Sequence, residues 1–414
     1  MKLWALQRFF YFHLVPKWWE RLCVRYARRR TDSKVVMDTK PLPRRLFLDL
    51  SVISRSDAGT GIQRVVRGIA RQLLQEPPAG WRVIPLGASA QKSYHPIAWD
   101  RYEIIEEDCF EARAGDVFFA LDYALDTICL YESQLAAFRK AGGRFWVLMH
   151  DLLPFRQHEW FSDGTVVRYR KWLSTLARQA DGFFCVSPST ENDLHDVLSH
   201  FYALKKSYLS CVLPLGWNIA EAKHSEGTSD TLTAMTERMR SRPTALMIGT
   251  LEPRKAHIDI VNAFDLLWLS GTDYCLVIVG RPGWKTEALQ QRLRIHPQLG
   301  QRLFWLNNIS DEELEILYHH CDGVIAASYA EGFGLPVIEA LGHKKPVLAR
   351  DIAVFHTINT SGISYFPAES DTATLADHIT TWLQKTHDQP VSLNLPSWSD
   401  TARVIIQTLD EGSI

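Results

Sequence analysis

The sequence lacks three features that would each place it in a distinct class of protein. It has no excess of basic charge, because 46 Lys and Arg residues stand against 47 Asp and Glu residues, so nucleic acid is not expected as a partner. Its seven cysteines are scattered and never spaced as C-x-x-C, which favours neither a disulfide framework nor a zinc site and predicts a reducing, cytoplasmic location. No apolar run approaches the roughly 18–20 residues of a membrane span. The 414 residues, 46% of them hydrophobic, are enough for two globular domains.

The first thirty residues differ from the rest of the chain. They interleave aromatic residues with Lys and Arg and contain a single acidic residue, Glu20. They have neither an uninterrupted apolar core nor a small-residue cleavage site, so a signal peptide is not predicted. Two interpretations stay open, namely a segment lying on an anionic bilayer surface and an arm packed on its own protein. We assign residues 1–44 to this basic-aromatic segment and the linker that follows it.

From Leu46 onward, short apolar runs alternate with helix-like stretches. The run LFLDLSVI precedes the amphipathic stretch IQRVVRGIARQLL, and a second series of such runs begins at TALMIGT. Strands that alternate with helices predict parallel sheets covered on both faces. The polar residues around 220–231 have the composition of a linker. We therefore predict two α/β domains, at residues 45–220 and 244–414, joined by a linker at residues 221–243.

Several polar groups follow predicted strands, at the edge where open α/β sheets bind ligands. His150 and Asp151 end the strand FWVLMHD, and Arg254 and Lys255 follow another strand in GTLEPRKAH. The loop DAGTGIQR, which contains Gly61, leads into a helix, where free N–H groups would face an anion. It is neither the G-x-G-x-x-G fingerprint nor a Walker loop. Each of these signals alone is also typical of a tight turn, a helix cap or a solvated surface.

The stretch EGFGLPVIEA places two glutamates eight positions apart around a Gly-Phe-Gly turn. Gly332 and Gly334 allow the backbone to bend tightly and to approach a ligand. Pro336 favours the first turn of a helix, where its missing N–H is not needed. Glu331 is thus predicted on a loop and Glu339 about one turn into a helix, with room for polar ligand groups between them.

Together these stretches resemble the glycosyltransferase family 4 group of retaining GT-B enzymes. The resemblance covers nearly the whole chain from about residue 46, and its most specific element is the E-x7-E motif in EGFGLPVIEA. GTLEPRKAHIDIVNAF is similar to the family's donor-phosphate segment, and HDLLPFRQHEWF is similar to its histidine-bearing loop. DLSVISRSDAGTGIQRVVRGI has a looser likeness to polysaccharide mannosyltransferases. The resemblance implies the GT-B fold class, an α/β fold of two Rossmann-like domains that face each other across a cleft.

The resemblance also implies a role for each matching residue. Glu339 would bind the ribose hydroxyls of a nucleotide, and Glu331 would lie near the transferred sugar. Lys255, with Arg254, would hold the diphosphate, and His150 would lie near the reacting face of the sugar. The other matching positions are loop residues that would reach the sugar or the phosphates: Gly61 in the first domain, and Thr250, Gly332, Phe333 and Gly334 in the second.

Two positions depart from the family's pattern. Thr250 follows Gly249 where many members have Gly-Arg, so one diphosphate cation is either missing or replaced by Arg254. His356 stands near the place where a glutamate often follows the strand that begins with Pro-Val. Both departures leave the nucleotide base and the sugar of the donor open.

The activity that the resemblance implies is that of a metal-independent hexosyltransferase with Glu331, His150, Lys255 and Arg254 as its catalytic residues. Fixed cations stabilise a departing diphosphate, so neither a metal nor another cofactor is expected. The donor would be a nucleoside diphosphate sugar, with GDP-mannose as the first expectation. The acceptor would be a lipid-linked or growing surface glycan such as O-antigen, capsule or exopolysaccharide, at the inner face of the cytoplasmic membrane. A sugar-nucleotide epimerase of the same architecture and a non-catalytic paralogue acting as a scaffold remain alternatives.

Overall fold

The chain divides into two units in a computed structural model. The first unit comprises Met1–Gly216 together with Pro396–Ile414, and the second comprises Trp217–Leu395. The structure describes residues 7, 16–29, 43–100, 110–205, 207–218, 230–358, 361–386, 391 and 395–412.

A seven-stranded sheet forms the centre of the first unit. Its strands are β1 Arg44–Asp49, β2 Trp81–Gly87, β3 His95–Pro96, β4 Val117–Ala120, β5 Arg144–Met149, β6 Gly182–Cys185 and β7 Leu209–Val212. Their order across the sheet is β3-β2-β1-β4-β5-β6-β7. All neighbouring strands are parallel except β2 and β3, which are antiparallel.

A six-stranded sheet forms the centre of the second unit. Its strands are β8 Thr244–Ile248, β9 Cys275–Val279, β10 Leu303–Leu306, β11 Gly323–Ala326, β12 Val347–Arg350 and β13 Ile363–Phe366. Their order is β10-β9-β8-β11-β12-β13, and all neighbours are parallel. The predicted pair of parallel, Rossmann-like sheets is therefore confirmed.

Helices connect the strands in both units. In the first unit they are α1 Lys17–Arg29, α2 Gly61–Gln75, α3 Leu125–Leu130, α4 Glu132–Lys140, α5 Leu153–Arg156, α6 Asp163–Gln179 and α7 Pro188–His200. In the second unit they are α8 Asp230–Arg240, α9 His257–Leu269, α10 Glu287–Arg294, α11 Asp311–His320, α12 Leu335–Gly342, α13 Ala353–His356 and α14 Thr372–Leu383. The last helix is α15 Trp398–Glu411. None of the helices in the described ranges combines the length and the hydropathy that crossing a bilayer requires.

The strands are apolar because both of their faces are buried. Every residue of β4 and of β9 is buried, as expected for parallel strands covered on both sides. The core of the first unit contains many aromatic rings, among them Phe47, Phe118 and Phe145. The core of the second unit is mostly aliphatic. Each unit thus has a hydrophobic core of its own.

The last helix belongs to the first unit, which corrects the predicted extent of the second domain, residues 244–414. Trp398 packs against Gly68 and Gly216, where a Cβ atom would lie 2.4–2.5 Å from its ring carbons. Near the other end of α15, Asp410 forms an ion pair with Arg44 at the start of β1. The amphipathic pattern of a helix shows that one of its faces packs on an apolar surface, but it does not identify that surface. The sequence alone therefore does not assign α15 to a unit.

The predicted linker at residues 221–243 is also partly wrong. Helix α8 falls inside the predicted linker at residues 221–243, and its Met235 and Met239 are buried. Helix α1 falls inside the segment predicted at residues 1–44. Within these two segments, residues 1–6, 8–15, 30–42 and 221–229 lie outside the described residues.

Each sheet has a point at which the strand order changes direction. Along the chain the first sheet grows outward from β1 through β2 and β3, and then continues with β4 on the other side of β1. The second sheet does the same from β8, with β11 on its other side. The loops after two such strands diverge to opposite faces and leave a crevice at the carboxyl edge, where open α/β sheets bind ligands.

Candidate functional site

Two loops meet at the switch point of the second sheet. Residues 249–256 follow β8, and residues 327–334 follow β11. The backbone N–H of Tyr329 donates to the carbonyl of Arg254 at 2.8 Å, which joins the two loops directly. The predicted cations and the first predicted glutamate are therefore brought to one place.

Glu331 lies between the two predicted cations. Its carboxylate accepts a hydrogen bond from Arg254 at 2.6 Å and is paired with the Lys255 ammonium. The hydroxyl of Ser328 donates to the same carboxylate at 2.6 Å. Burial alone would raise the pKa of Glu331, but the charges of Arg254 and Lys255 and these hydrogen bonds lower it to about 2. Glu331 is therefore ionised throughout the physiological pH range.

The backbone after β8 is shaped to present the basic pair. Gly249 has a φ of +146°, and the Lys255 side chain passes within 3.3 Å of the position that its Cβ would occupy. Ala256 is left-handed, with a φ of 55°, and joins the short 3-10 turn of Pro253–Lys255 to α9. Arg254 also pairs with Glu252 at 2.8 Å, so two cations face two carboxylates. The cluster is electrically balanced when no ligand is bound.

A buried arginine that the sequence analysis did not single out fixes the loop that carries Glu331. Arg350 at the end of β12 donates to the carbonyl of Ala327 at 2.7 Å and to Asp259 of α9 at 2.8 Å. Its guanidinium lies 4.2 Å from the ring of Tyr329, whose hydroxyl donates to Asp259 as well. These contacts tie the loop after β11 to the first turn of α9. In the sequence the only signal is one arginine at the end of an apolar strand.

The predicted Gly-Phe-Gly turn leads from Glu331 into α12. Gly334 is the residue before the helix, with a φ of +98°, and a Cβ there would lie 2.6 Å from the Phe355 ring. A side chain at this position would both strain the backbone and clash, so glycine is required. Gly332 and Phe333 lie between Glu331 and this cap, and Pro336 is in the first turn of α12, as predicted.

Glu339 lies in α12, on the far side of the Gly-Phe-Gly turn from Glu331 in the chain. It is 1% exposed and accepts a hydrogen bond from the Tyr318 hydroxyl at 2.9 Å. The Tyr318 ring stacks on His343, with centroids 4.7 Å apart and an angle of 11° between the planes. Sequence reasoning missed Tyr318, which lies 21 residues before Glu339 in an ordinary amphipathic helix. Glu339, the residue predicted to bind the ribose, is thus held in place by a buried tyrosine.

Thr250 lies in the loop after β8 and packs against the loop after β9. The Thr250 methyl is 2.9 Å from where a Cβ on Gly283 would lie. The side chain of Thr250 carries no charge, so the second sheet's switch point has Arg254 and Lys255 as its cations after β8.

His150 and Gly61 belong to the first unit and are described within it. His150 follows β5 and is 8% exposed, and its Nε2 has no hydrogen-bond partner among the described residues. Burial lowers the pKa of His150 to about 4, against a smaller raising effect of a hydrogen bond with the Leu121 backbone. A buried nitrogen without a partner costs about 1–3 kcal/mol, and a water molecule or a ligand group would satisfy it. His150 is therefore neutral and has one nitrogen available.

Gly61 is the first, exposed residue of α2, but the loop before it differs from the prediction. We expected free N–H groups here; instead, the N–H groups of Ala58 and Thr60 donate to the Gln63 side chain, and that of Gly59 donates to Asp57. Thr60 and Gln63 form a capping box, which satisfies helix-end donors that an anion would otherwise meet.

The switch point of the first sheet holds two buried aspartates that sequence reasoning also missed. Asp122, after β4, accepts hydrogen bonds from the N–H groups of Val52 and Ile53, both at 2.7 Å. Asp49, at the end of β1, accepts from Ser51 and from the Tyr94 hydroxyl. Burial raises the pKa of Asp49 to about 7. The hydrogen-bond donors at the switch point of the first sheet are thus already paired with Asp49 and Asp122.

Solved structures of known proteins are similar in fold to this chain. The crystal structure of Anabaena Alr3699/HepE in complex with UDP and glucose has a TM-score of 0.56 at 16% identity, over 89% of this chain and 98% of that chain. The N-terminal domain of Candida albicans trehalose-6-phosphate phosphatase has a TM-score of 0.61 at 12% identity, over 92% of this chain and 99% of that one. At these identities the likeness shows the fold alone, and that fold is of the GT-B class.

Sequence comparison finds a family match in the second unit and longer relatives for most of the chain. The family model of group 1 glycosyl transferases matches residues 234–393, which include the Arg254, Lys255 and Glu331 cluster and Glu339. The serotype-specific mannosyltransferase WbdA of Escherichia coli is 35% identical over 380 residues, which are 88% of this chain and 46% of WbdA. Residues 234–393 thus match the group 1 glycosyl transferase family, as the resemblance predicts. It spans about half the length of the curated relatives that it matches first.

Proposed function

We propose that this chain transfers a hexose from a nucleoside diphosphate sugar to a lipid-linked or growing surface glycan, with retention of configuration. Mannose from GDP-mannose is the first candidate, because the relative WbdA is named a mannosyltransferase. The observation that carries the proposal is the cluster of Arg254, Lys255 and Glu331 at the switch point of a family-matching sheet.

Donor binding would rearrange this cluster. A diphosphate offers Arg254 and Lys255 the same charge-assisted hydrogen bonds that Glu331 provides in its absence. Helices α9 and α12 begin at this edge, and their N-terminal N–H groups favour an anion. We expect the diphosphate to displace Glu331 from Lys255, which would free the Glu331 carboxylate to bind hydroxyls of the transferred sugar.

The cluster supplies what the bond cleavage requires. Breaking the glycosyl–phosphate bond builds positive charge at the anomeric carbon and negative charge on the departing diphosphate. Cations already fixed beside the diphosphate stabilise that developing charge without reorganisation, which is usually the largest contribution to catalysis. Lys255 and Arg254 would take the part that Mg²⁺ takes elsewhere, so the proposed transfer needs no metal.

The other predicted residues would position the donor and acceptor. Glu339, oriented by Tyr318, would bind the ribose hydroxyls. His150 would bind a sugar hydroxyl through its available Nε2, because a neutral imidazole nitrogen can donate or accept one hydrogen bond. Gly61 and Thr250 would lie along the phosphates, with the backbone N–H groups of Gly332, Phe333 and Gly334. A peripheral position at the inner face of the cytoplasmic membrane completes the proposal.

Thermal protection by nucleotides tests the donor site. We expect GDP to raise the melting temperature in EDTA, because a ligand at about one hundred times its Kd adds about 2.7 kcal/mol to stability. Lys255→Ala should reduce the shift, whereas Lys385→Ala, an exposed lysine of the same unit, should leave it unchanged. If GDP, UDP and dTDP all leave the melting temperature unchanged, the donor-site assignment is wrong.

Product analysis tests the reaction. With GDP-, UDP- and dTDP-sugars in turn, we expect GDP-mannose to yield free GDP and a mannosylated glycan. An epimerised nucleotide sugar would identify the epimerase alternative instead. Nucleotide binding with neither product nor hydrolysis across all donors would identify the non-catalytic alternative.

A further inference from the structure

Helix α1 has two faces of different composition. The inner face carries Glu20 and Val24, which are 7% and 2% exposed, and Val24 joins the core of the first unit. The outer face carries Trp18, Trp19, Leu22 and Tyr26, which are all exposed. The helix is therefore packed on its own protein and still presents an apolar surface.

The inward arginines of α1 act as a clamp on the first unit. Arg28 donates to the carbonyls of Ala177 and Ala180 at the end of α6, at 2.9 and 2.7 Å. Arg21 donates to the carbonyls of His200 and Phe201 at the end of α7, at 2.7 and 3.2 Å. Helix C-termini attract cations because their last carbonyls carry partial negative charge. Of the two interpretations that the sequence left open for this segment, these two arginines agree with an arm packed on its own protein.

The outer face combines large aromatic and aliphatic side chains in one stripe. Trp18 is 58% exposed, Trp19 54% and Leu22 48%. Residues 18, 22 and 26 follow one another at four-residue spacing, so they lie along one side of the helix. Single exposed apolar side chains are ordinary, but a contiguous patch marks an interaction surface.

The charge beside this stripe is positive. Arg25 is exposed on the outer face and has no hydrogen-bond or ion-pair partner within the described ranges, whereas Lys17 lies over the Phe201 ring of the first unit. Arg25 also lines a pocket of about 320 Å³ together with Arg21, Arg28 and the ion pair of Arg139 and Asp181. The chain as a whole has a net charge of −1, so this basic character is local. A surface that is apolar along one line and basic beside it complements an anionic lipid surface, with its acyl boundary below the phosphate groups.

We infer that α1 binds an anionic phospholipid bilayer through Trp18, Trp19, Leu22 and Tyr26, with Arg25 on the lipid phosphates. Tryptophan and tyrosine favour this interfacial depth, since their rings are apolar and carry one polar group. The helix clamps the ends of α6 and α7, which lie at the amino edge of the first sheet, whereas His150 lies at the carboxyl edge. Bilayer binding on α1 therefore leaves the carboxyl edge unobstructed. This inference rests on the proposed function, which places the protein at the membrane surface, and it names the residues that would make the contact.

Vesicle sedimentation of the full chain tests the inference. We expect the protein to bind vesicles of phosphatidylcholine and phosphatidylglycerol, and to bind phosphatidylcholine vesicles only weakly. The W18S/W19S double variant should lose affinity by about tenfold or more, because interfacial binding scales with buried apolar area. Arg25→Gln should weaken binding about fivefold, the effect of one basic residue near such a surface, and the loss should shrink at high salt.

Matched controls test whether the effect is specific to the apolar stripe of α1 or common to any exposed apolar side chain. Leu269 is 85% exposed in the second unit, so Leu269→Ser should leave vesicle binding unchanged. The W18S/W19S variant should keep the wild-type melting temperature and the wild-type thermal shift by GDP. Nucleotide protection is measured without lipid, so a failed donor site and a failed membrane site give different results.

Three outcomes would overturn the inference. The first is wild-type protein that does not bind anionic vesicles, or a double variant that binds them equally well. The second is a lower melting temperature of the double variant, which would show that the chain itself covers the two tryptophans. The third is a wild-type dimer that the double variant converts to a monomer, which would assign the stripe to a second copy of the chain.

Discussion

The two sheets place acidic side chains at the same topological position and surround them differently. At the switch point of the first sheet, Asp49 and Asp122 accept hydrogen bonds from backbone N–H and hydroxyl groups of their own unit. At the switch point of the second sheet, Glu331 faces Arg254 and Lys255. At this position of the fold, the carboxylates of the first unit are held by uncharged hydrogen-bond donors, whereas the carboxylate of the second unit is held by two cations.

The difference appears as opposite pKa shifts. Burial is the main effect on Asp49 and raises its pKa to about 7. Burial acts in the same direction on Glu331, but the adjacent cations outweigh it and lower its pKa to about 2. At the first switch point the chain's own carboxylates already occupy the donors, whereas at the second an anionic ligand could replace Glu331 on the two cations. The comparison supports the proposal that the second switch point, and not the first, binds the donor.

The largest expected effect concerns the pH dependence of the first unit. The native Asp49 pKa lies above the ordinary value of 3.8, so the folded state holds a proton that the unfolded chain releases. Stability should therefore fall as the pH rises from about 4 to about 7, by at most about 4 kcal/mol for one group. The Asp49→Asn variant cannot ionise at this position, so its stability should not fall over this pH range. In urea unfolding, the variant should be no more stable than wild type at pH about 5 and more stable than wild type at pH about 8.

A second aspartate of the same unit serves as the control. Asp57 is about one-third exposed and pairs with Arg67, so Asp57→Asn should change stability by a similar small amount at both pH values. If Asp49→Asn is destabilised equally at both pH values, Asp49 is ionised in the native state. The contrast between the two switch points would then be wrong.

Lys255→Ala tests whether the second switch point stabilises a leaving group. The charge on the diphosphate grows as the glycosyl bond breaks, so kcat should fall by about 10²–10³ if Lys255 resembles a single oxyanion donor. Steady-state kinetics with saturating GDP-mannose measure the effect, and Lys385→Ala provides an exposed lysine for comparison. A higher KM with an unchanged kcat would instead mean that Lys255 only binds the ground state.

Glu331→Gln tests the balance of the ion cluster. The native pKa of Glu331 lies below the ordinary 4.5, so the carboxylate stabilises the fold above about pH 4.5, and this contribution is lost as the pH falls toward 2. Its full size is about 3 kcal/mol. At neutral pH the variant lacks the negative charge that Arg254 and Lys255 face in the wild type. The variant should therefore have a lower melting temperature than wild type. A diphosphate would replace the missing charge, so GDP should raise the melting temperature of the variant more than that of wild type. A smaller GDP shift in the variant would contradict the proposed exchange.

Local sequence patterns predicted much of this architecture. The alternation of apolar runs and amphipathic stretches gave both sheets, because strands buried on both faces are apolar throughout. The spacing of Ser310 and Glu313 predicts a capping box, which the structure has at the start of α11. Arg254, Lys255 and Glu331 could be predicted together, since each follows a strand and strand ends converge at one edge of a sheet.

Long-range packing set the limits of prediction. Nothing in the amphipathic pattern of α15 indicates that Trp398 fills a gap beside Gly68 in the first unit. Arg350 and Tyr318 act through partners that are distant in the chain, Asp259 and Glu339. The outward or inward direction of the charges in α1 depends on where the ends of α6 and α7 lie. Such partnerships are properties of the folded chain rather than of any local window.

The smallest expected effect concerns the pair of Tyr318 and Glu339, which is buried like Asp49 but is assigned to a ligand. The Tyr318 hydroxyl donates to the Glu339 carboxylate at 2.9 Å. Tyr318→Phe keeps the ring that stacks on His343 and removes only the hydroxyl. Losing one hydrogen bond costs about 1 kcal/mol, so donor affinity should fall by about fivefold. Glu339→Ala should have a larger effect in the same direction.

The kinetic form of this change identifies the part of the reaction in which the pair acts. The ribose does not change during glycosyl transfer, so its contacts are equally strong in the ground state and the transition state. Tyr318→Phe should therefore raise KM for the donor and leave kcat unchanged. Tyr365 of the same unit donates to the Phe355 carbonyl at 3.2 Å, and Tyr365→Phe gives a matched loss of one hydroxyl outside the pair. If Tyr318→Phe lowers kcat at saturating donor while KM stays constant, Glu339 acts on the transferred sugar and not on the ribose. Glu339 would then belong with Glu331, and the two glutamates of the motif would serve one task instead of two.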